Sequence, residues 1–75
     1  MKREEADYLK RLGQHIAELR KAKGYSQDRL YVEAGFSRGT SSKIENGLVN
    51  PQILTLKKIA DTIGVPLKRL LDVQE

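Results

Sequence analysis

The sequence predicts an all-α domain of five helices, and three observations lead to that class. Apolar residues recur three or four positions apart over two long stretches, which is the period of an amphipathic helix. Glycines stand where helical stretches should end, at Gly24, Gly35, Gly47 and Gly64, and prolines stand where the last two should begin, at Pro51 and Pro66. Between them the stretch from Ser26 to Gly47, SQDRLYVEAGFSRGTSSKIENG, reads as a helix, a sharp turn and a second helix, with the remaining helices as its support.

The first helix is expected from about Glu4 to Lys23. Tyr8, Leu9, Leu12, Ile16 and Leu19 form its buried stripe, with the charged residues on the other face, and Gly24 ends it. Gly13 inside this helix costs about 1 kcal/mol relative to alanine, which points to a close helix contact there. His15 sits beside the stripe and reads as a solvent-edge residue, since no cysteine, second histidine or spaced carboxylate pair accompanies it. Ser26 is a good N-cap for a second helix starting at Gln27, and Asp28 adds favourable charge to its first turn. Gly35 stops that helix, and Phe36 anchors the turn. Ser37 then caps a third helix, Arg38 to Asn46, with Gly47 as its stop.

Leu48-Val49-Asn50-Pro51 reads as a loop, because the residue before a proline is pushed toward extended backbone. A fourth helix follows from about Gln52 to Ile63, with Ile53, Leu56, Ile59, Ala60 and Ile63 facing inward and Gly64 closing it. Leu54 lies off that face, where it could join a partner surface. Pro66 opens a fifth, short helix, LKRLLD, in which Leu70 and Leu71 can pack while Lys68 and Arg69 stay solvated.

At 75 residues there is room for one domain, 1–75, and one modest core, too little for a separate catalytic or effector domain. No cysteine is present, so there is neither a disulfide framework nor a thiolate metal site, which suits a reducing cytoplasm. The first residues, MKREEADYLKR, are charged and lack the apolar core of a signal peptide. No apolar run approaches the ~20 residues that span a bilayer, so a soluble, cytoplasmic protein is expected. No Ser/His/Asp set, Walker loop or metal-ligand spacing occurs, which disfavours an enzyme, and no cofactor, metal or small-molecule ligand is expected.

Net charge is +4, which favours a polyanionic partner. Its distribution is more informative. Met1 to Lys23 holds seven basic and four acidic side chains, whereas Gly24 to Asn50 holds three of each, so sequence contacts, if made, come from few residues.

The pattern resembles the Cro and lambda-repressor (Xre-like) family of helix-turn-helix DNA-binding proteins. The residues that fit are Arg20, Ser26-Gln27, Leu30, Ala34-Gly35, Ser37-Arg38, Ser42-Lys43-Ile44-Glu45 and Asn50-Pro51, continuing through Thr55-Leu56, Lys58-Ile59-Ala60 and Ile63-Gly64-Val65. The match covers about residues 12–71, with 1–11 as an N-terminal helical extension. It implies a compact five-helix lambda-repressor-like domain whose second and third helices form the reading unit, and a small transcriptional regulator that binds double-stranded DNA. By the same resemblance Arg38, Gly39, Thr40, Ser42 and Lys43 face the bases, Arg38 as a bidentate donor to guanine and Lys43 as a flexible donor to a base or a phosphate. Gln27, Ser37, Asn46 and Asn50 fall at phosphates, and Arg20 and Glu45 match a pair that bridges the first and third helices.

Three departures stand out. Position 31, usually a small alanine, is Tyr31, and position 41, usually a branched apolar residue, is Ser41, a swap that roughly conserves core volume and leaves the Tyr31 hydroxyl in want of a partner such as Ser41. The loop Leu48-Val49-Asn50 is poorer in basic residues than in many relatives. A symmetric homodimer on a near-palindromic operator is expected, since one recognition helix contacts only a few base pairs, and Leu54, Val65, Leu67 and Val73 are its expected interface. The rival is a protein-binding module, antitoxin-like or an adaptor, using the same fold without reading DNA.

Overall fold

The structure, a computed structural model, describes residues 2–37 and 39–73. Five helices follow in order: α1 (Arg3–Ala22), α2 (Gln27–Glu33), α3 (Thr40–Glu45), α4 (Ile53–Ile63) and α5 (Leu67–Leu70), and there is no strand among the described residues. α1 starts where the Glu5 carboxylate accepts a bond from the Lys2 backbone N–H at 2.9 Å, with Glu4 and Glu5 at the positive end of the helix dipole and Arg20 and Lys21 at the negative end. At the start of α2, Ser26 Oγ accepts from the Arg29 N–H at 3.1 Å.

Leu9, Leu12 and Ile16 of α1 meet Leu30 and Tyr31 of α2, Ile44 of α3, Leu56, Ile59, Ala60 and Ile63 of α4 and Leu70 of α5 in one core. Every helix therefore contributes, and the four-residue α5 is held by the fully buried Leu70 rather than by its own propensity. His15 reaches across from α1 to α5, its Nε2 donating to the Arg69 carbonyl at 2.8 Å from a half-buried position.

The tightest approach joins α1 to the end of α3. A Cβ on Gly13 would collide with the carbonyl oxygens of Glu45 and Ile44, the latter at 2.5 Å. Gly47 seals the same seam from the other side: its φ of 71° is left-handed, and a Cβ there would lie 2.6 Å from the Lys10 nitrogen. Alanine at position 13 should raise the intrinsic helix propensity of α1 by about 1 kcal/mol, yet overpacking against rigid backbone typically costs about 1–3 kcal/mol. Gly13→Ala is therefore expected to lower the thermal midpoint, and a raised midpoint would show that the two helices are not in backbone contact.

Four expectations need correction. α3 begins at Thr40, because Gly39 has φ 92°, a left-handed value that cannot lie within a right-handed helix; Gly39 rather than Ser37 occupies the N-cap, and Asn46 is the C-cap. Ile53 is 55% exposed: it stands on the core-facing side of α4 but at the helix's first residue, beyond the packed turns. α5 ends at Leu70, so Leu71 lies just past it and is 36% exposed at the rim. Finally, the Tyr31 hydroxyl makes no bond to Ser41 or to any other described group, although both residues are buried.

Candidate nucleic-acid interface

α3 is only six residues long, too short to hold itself, so its position depends on what grips it. Its inner face carries Ser41, Ile44 and Glu45. Glu45 receives Arg20 side-on, Nε to Oε2 at 2.9 Å and Nη2 to Oε1 at 3.0 Å, and the remaining guanidinium arm, Nη1, donates to the Tyr25 carbonyl at 3.0 Å. Gln27 Nε2 donates to Glu45 Oε1 at 3.2 Å. One carboxylate thus ties α3 to the last turn of α1 and the first residue of α2. With the side chains of Arg20 and Glu45 only 9% and 6% exposed, both charges are taken out of water and each depends on the other.

Tyr31 lies buried on α2, its ring 6.1 Å from that of Phe36 in the turn. Burial, reinforced by the nearby Glu45 carboxylate, pushes its phenol well above the ordinary value of 10.0. Since the folded-state value is raised, the neutral phenol's contribution is complete below pH 10.0 and declines above it, where the unfolded chain ionises first. Tyr31→Phe keeps the ring and removes an unpaired hydroxyl, so it is expected to leave stability unchanged or raise it by about 1 kcal/mol, and to flatten the alkaline decline. Denaturant titrations at neutral and alkaline pH would check this; a loss of stability on removing the hydroxyl would mean that it is bonded.

The outer face of α3 is polar. Ser42, Lys43 and Asn46 are exposed, with Asn46 Nδ2 donating to Ser42 Oγ at 3.1 Å, and Thr40 is half-buried with its Oγ1 3.3 Å from Ser37 Oγ. Gly39 is exposed at the head of the helix, and Arg38 lies outside the described residues. Thr40 and Lys43 share a shallow hollow with Asn50, Gln52 and Thr55 at the start of α4. The structure thus gathers Gly39, Thr40, Ser42, Lys43 and Asn46 on one face, sets Gln27 at the bracing end and Asn50 at the opposite flank. Gln52 and the Tyr25 carbonyl belong to this arrangement without having been singled out in the sequence, and Thr55 stood out there only as part of the family pattern. A residue ahead of an N-cap accepting from the helix before it leaves no composition or periodicity signal.

Of the other cations in this stretch, Arg29 is engaged, bonded to Glu33 at 2.8 Å and stacked 4.4 Å over the Tyr25 ring. The expected interface residues divide: Leu54 is 68% exposed, whereas Val65, Leu67 and Val73 are half-buried against the core. Leu48, Ile53 and Leu71 are further exposed apolar residues. Among the described residues no cluster of three or more His, Cys, Asp or Glu could hold a metal ion, and no helix is long and apolar enough to cross a membrane.

Comparisons with known proteins agree with this geometry. The family described as Helix-turn-helix matches residues 16–70. The transcriptional regulator SlrR of Bacillus subtilis is 44% identical over 64 residues, which are 84% of this chain and 42% of that protein. SinR of the same organism is 40% identical over 62 residues, 81% of this chain and 56% of its own length, and the regulator y4dJ of Sinorhizobium fredii is 37% identical over 59 residues, 79% and 77%. The chain therefore spans about half the length of SlrR or SinR. Among solved structures, the restriction-modification controller protein C.AhdI of Aeromonas hydrophila superposes with a TM-score of 0.79 at 34% identity, covering 87% of this chain and 97% of that one. By sequence and by fold, this chain belongs to the helix-turn-helix family, whose matched members are transcriptional regulators.

Proposed function

We propose that the protein is a transcriptional regulator that binds double-stranded DNA in a sequence-specific manner as a homodimer. The observation that carries this reading is α3: a short helix gripped from behind by Arg20, Gln27 and Glu45, with Gly39, Thr40, Ser42, Lys43 and Asn46 turned outward. A helix fits the major groove of B-DNA, about 12 Å wide, and reads base edges from its N-terminal half while the preceding helix crosses the backbone. Ser42 and Lys43, with Thr40 and Arg38, supply donors and acceptors of the kinds that base edges present. Gly39, without a side chain, permits close approach to the backbone. Gln27, Ser37, Asn46 and Asn50 can meet phosphates around it, fixing register without reading sequence.

A dimer follows from the size of this surface, since one such helix cannot compete with the non-specific sites of a genome. The exposed Leu54 is the best place to probe the interface, because Val65, Leu67 and Val73 also serve the core. Two measurements test the proposal. In anisotropy titrations, Lys43→Ala should weaken binding to the preferred duplex by about 1–3 kcal/mol if it reads a base, and relax preference at one base pair. In sedimentation at micromolar concentration, wild type should be dimeric and Leu54→Asp shifted toward monomer. Unchanged affinity and site preference in the first would remove Lys43 from the reading face, and a monomer both free and on DNA would remove the dimer.

A further inference from the structure

The reading unit is short of cations. Of the three basic residues between Gly24 and Asn50, Arg29 is bonded to Glu33 and stacked on Tyr25, which leaves Lys43 and Arg38. Affinity for duplex DNA rests mainly on phosphate neutralisation, so a unit this poor in charge needs cations from elsewhere. α1 is placed to supply one. The backbone of Lys10 lies directly against Gly47, the residue that leaves the end of α3, so close that a Cβ on Gly47 would meet the Lys10 nitrogen at 2.6 Å and its Cα at 2.7 Å. Lys10 is exposed and makes no ion pair among the described residues. Arg3 and Lys21, also exposed, lie about two and three helical turns away from it on the same face of α1.

Resting on the DNA-binding reading above, we propose that Lys10 contacts a DNA phosphate at the wall of the groove that receives α3, making the N-terminal half of α1 part of the DNA-binding surface. A helix roughly 10–12 Å in diameter with its side chains fills a groove about 12 Å across, so residues flanking the end of α3 lie close to the sugar–phosphate walls. Lys10 touches that turn. Its flexible four-carbon stem and compact ammonium suit a phosphate, which asks for charge rather than a fixed fork of donors. The next residue, Arg11, provides the contrast. It is a cation on the same helix, but it lines the cleft between α1 and α5 with Glu18, Arg69 and Asp72, away from the α3 seam.

The test is binding to a short duplex of random sequence, followed by anisotropy over a series of salt concentrations, for wild type, Lys10→Gln, Arg11→Gln and Lys10→Arg. Phosphate contacts do not depend on sequence, so no operator is needed. Lys10→Gln is expected to lower the slope of log affinity against log salt by about one and to weaken binding several-fold at low salt, with Lys10→Arg restoring both. Arg11→Gln removes the same charge without a contact, so its slope should stay close to that of wild type. Circular dichroism of the variants checks that these exposed substitutions leave the helices intact. If wild type binds and the Lys10→Gln slope matches that of wild type or of Arg11→Gln, the contact is overturned while DNA binding stands. If wild type fails to bind even at low salt, the contact falls together with the DNA-binding reading.

Discussion

Alanine in place of Glu45 is expected to destabilise the domain by about 3–5 kcal/mol, the largest single effect on folding that the structure implies. Arg20 would then keep a guanidinium, its side chain 9% exposed, with only the Tyr25 carbonyl as partner, and Gln27 would lose its acceptor. Native domains are stable by roughly 5–15 kcal/mol, and one of this size buries a modest core, so the loss is a large part of the total. The asymmetry is the informative part. Removing one partner strands a buried charge, whereas replacing Arg20 and Glu45 together by leucine removes both desolvation penalties and is expected to recover much of the stability. Urea unfolding of the two single variants and the double would settle this. Losses that simply add would mean that the pair is not a coupled unit. The double variant, even if well folded, should bind DNA less well than wild type, because the link from α2 through Gln27 to α3 is gone with the carboxylate.

A near-palindromic duplex with half-sites about one helical turn, 34–36 Å, apart should bind about 10²–10⁴-fold more tightly than a duplex with a single half-site. The gain comes from making the second contact intramolecular, so it requires both dimerisation and matching spacing. Inserting half a turn between the half-sites should abolish most of it, since the second helix would then meet the wrong face of the duplex. Leu54→Asp should reduce the advantage of the palindrome while leaving half-site affinity nearly unchanged, because Leu54 is 68% exposed and lies outside the α3 surface. Equal affinity for full and half sites would show that single domains act independently.

Local signals carried most of the fold. The stripe of Leu9, Leu12 and Ile16, the Ser26 cap and the glycine after each of the first four helices are decided by residues within a turn or two of one another, and α1, α2 and α4 fall within one residue of their expected starts. Gly13 was legible as a place of close contact because glycine inside a helix is costly, though not what it would touch. The errors arose where a local rule met tertiary geometry. Ser37 is a good N-cap by type, but the left-handed backbone of Gly39 moves the start of α3 two residues on, and glycine permits that conformation without announcing it. Ile53 has the right periodicity, yet whether a helix end overhangs its core depends on neighbours far away in sequence. The unpaired Tyr31 hydroxyl likewise reflects where α2 and α3 settle together, which no spacing reports. The contact seam between Lys10 and Gly47 joins residues too distant in sequence for any window to relate.

Whether α3 reads DNA sequence is decided by selecting bound duplexes from a random pool with wild type and, in parallel, with a variant in which Ser42 and Lys43 are both alanine. Wild type should enrich a short motif repeated with two-fold symmetry at a spacing of about one turn, and the variant should lose preference within the motif while retaining salt-sensitive, non-specific binding. No enrichment by wild type, or the same motif selected by both proteins, would show that α3 does not read the sequence.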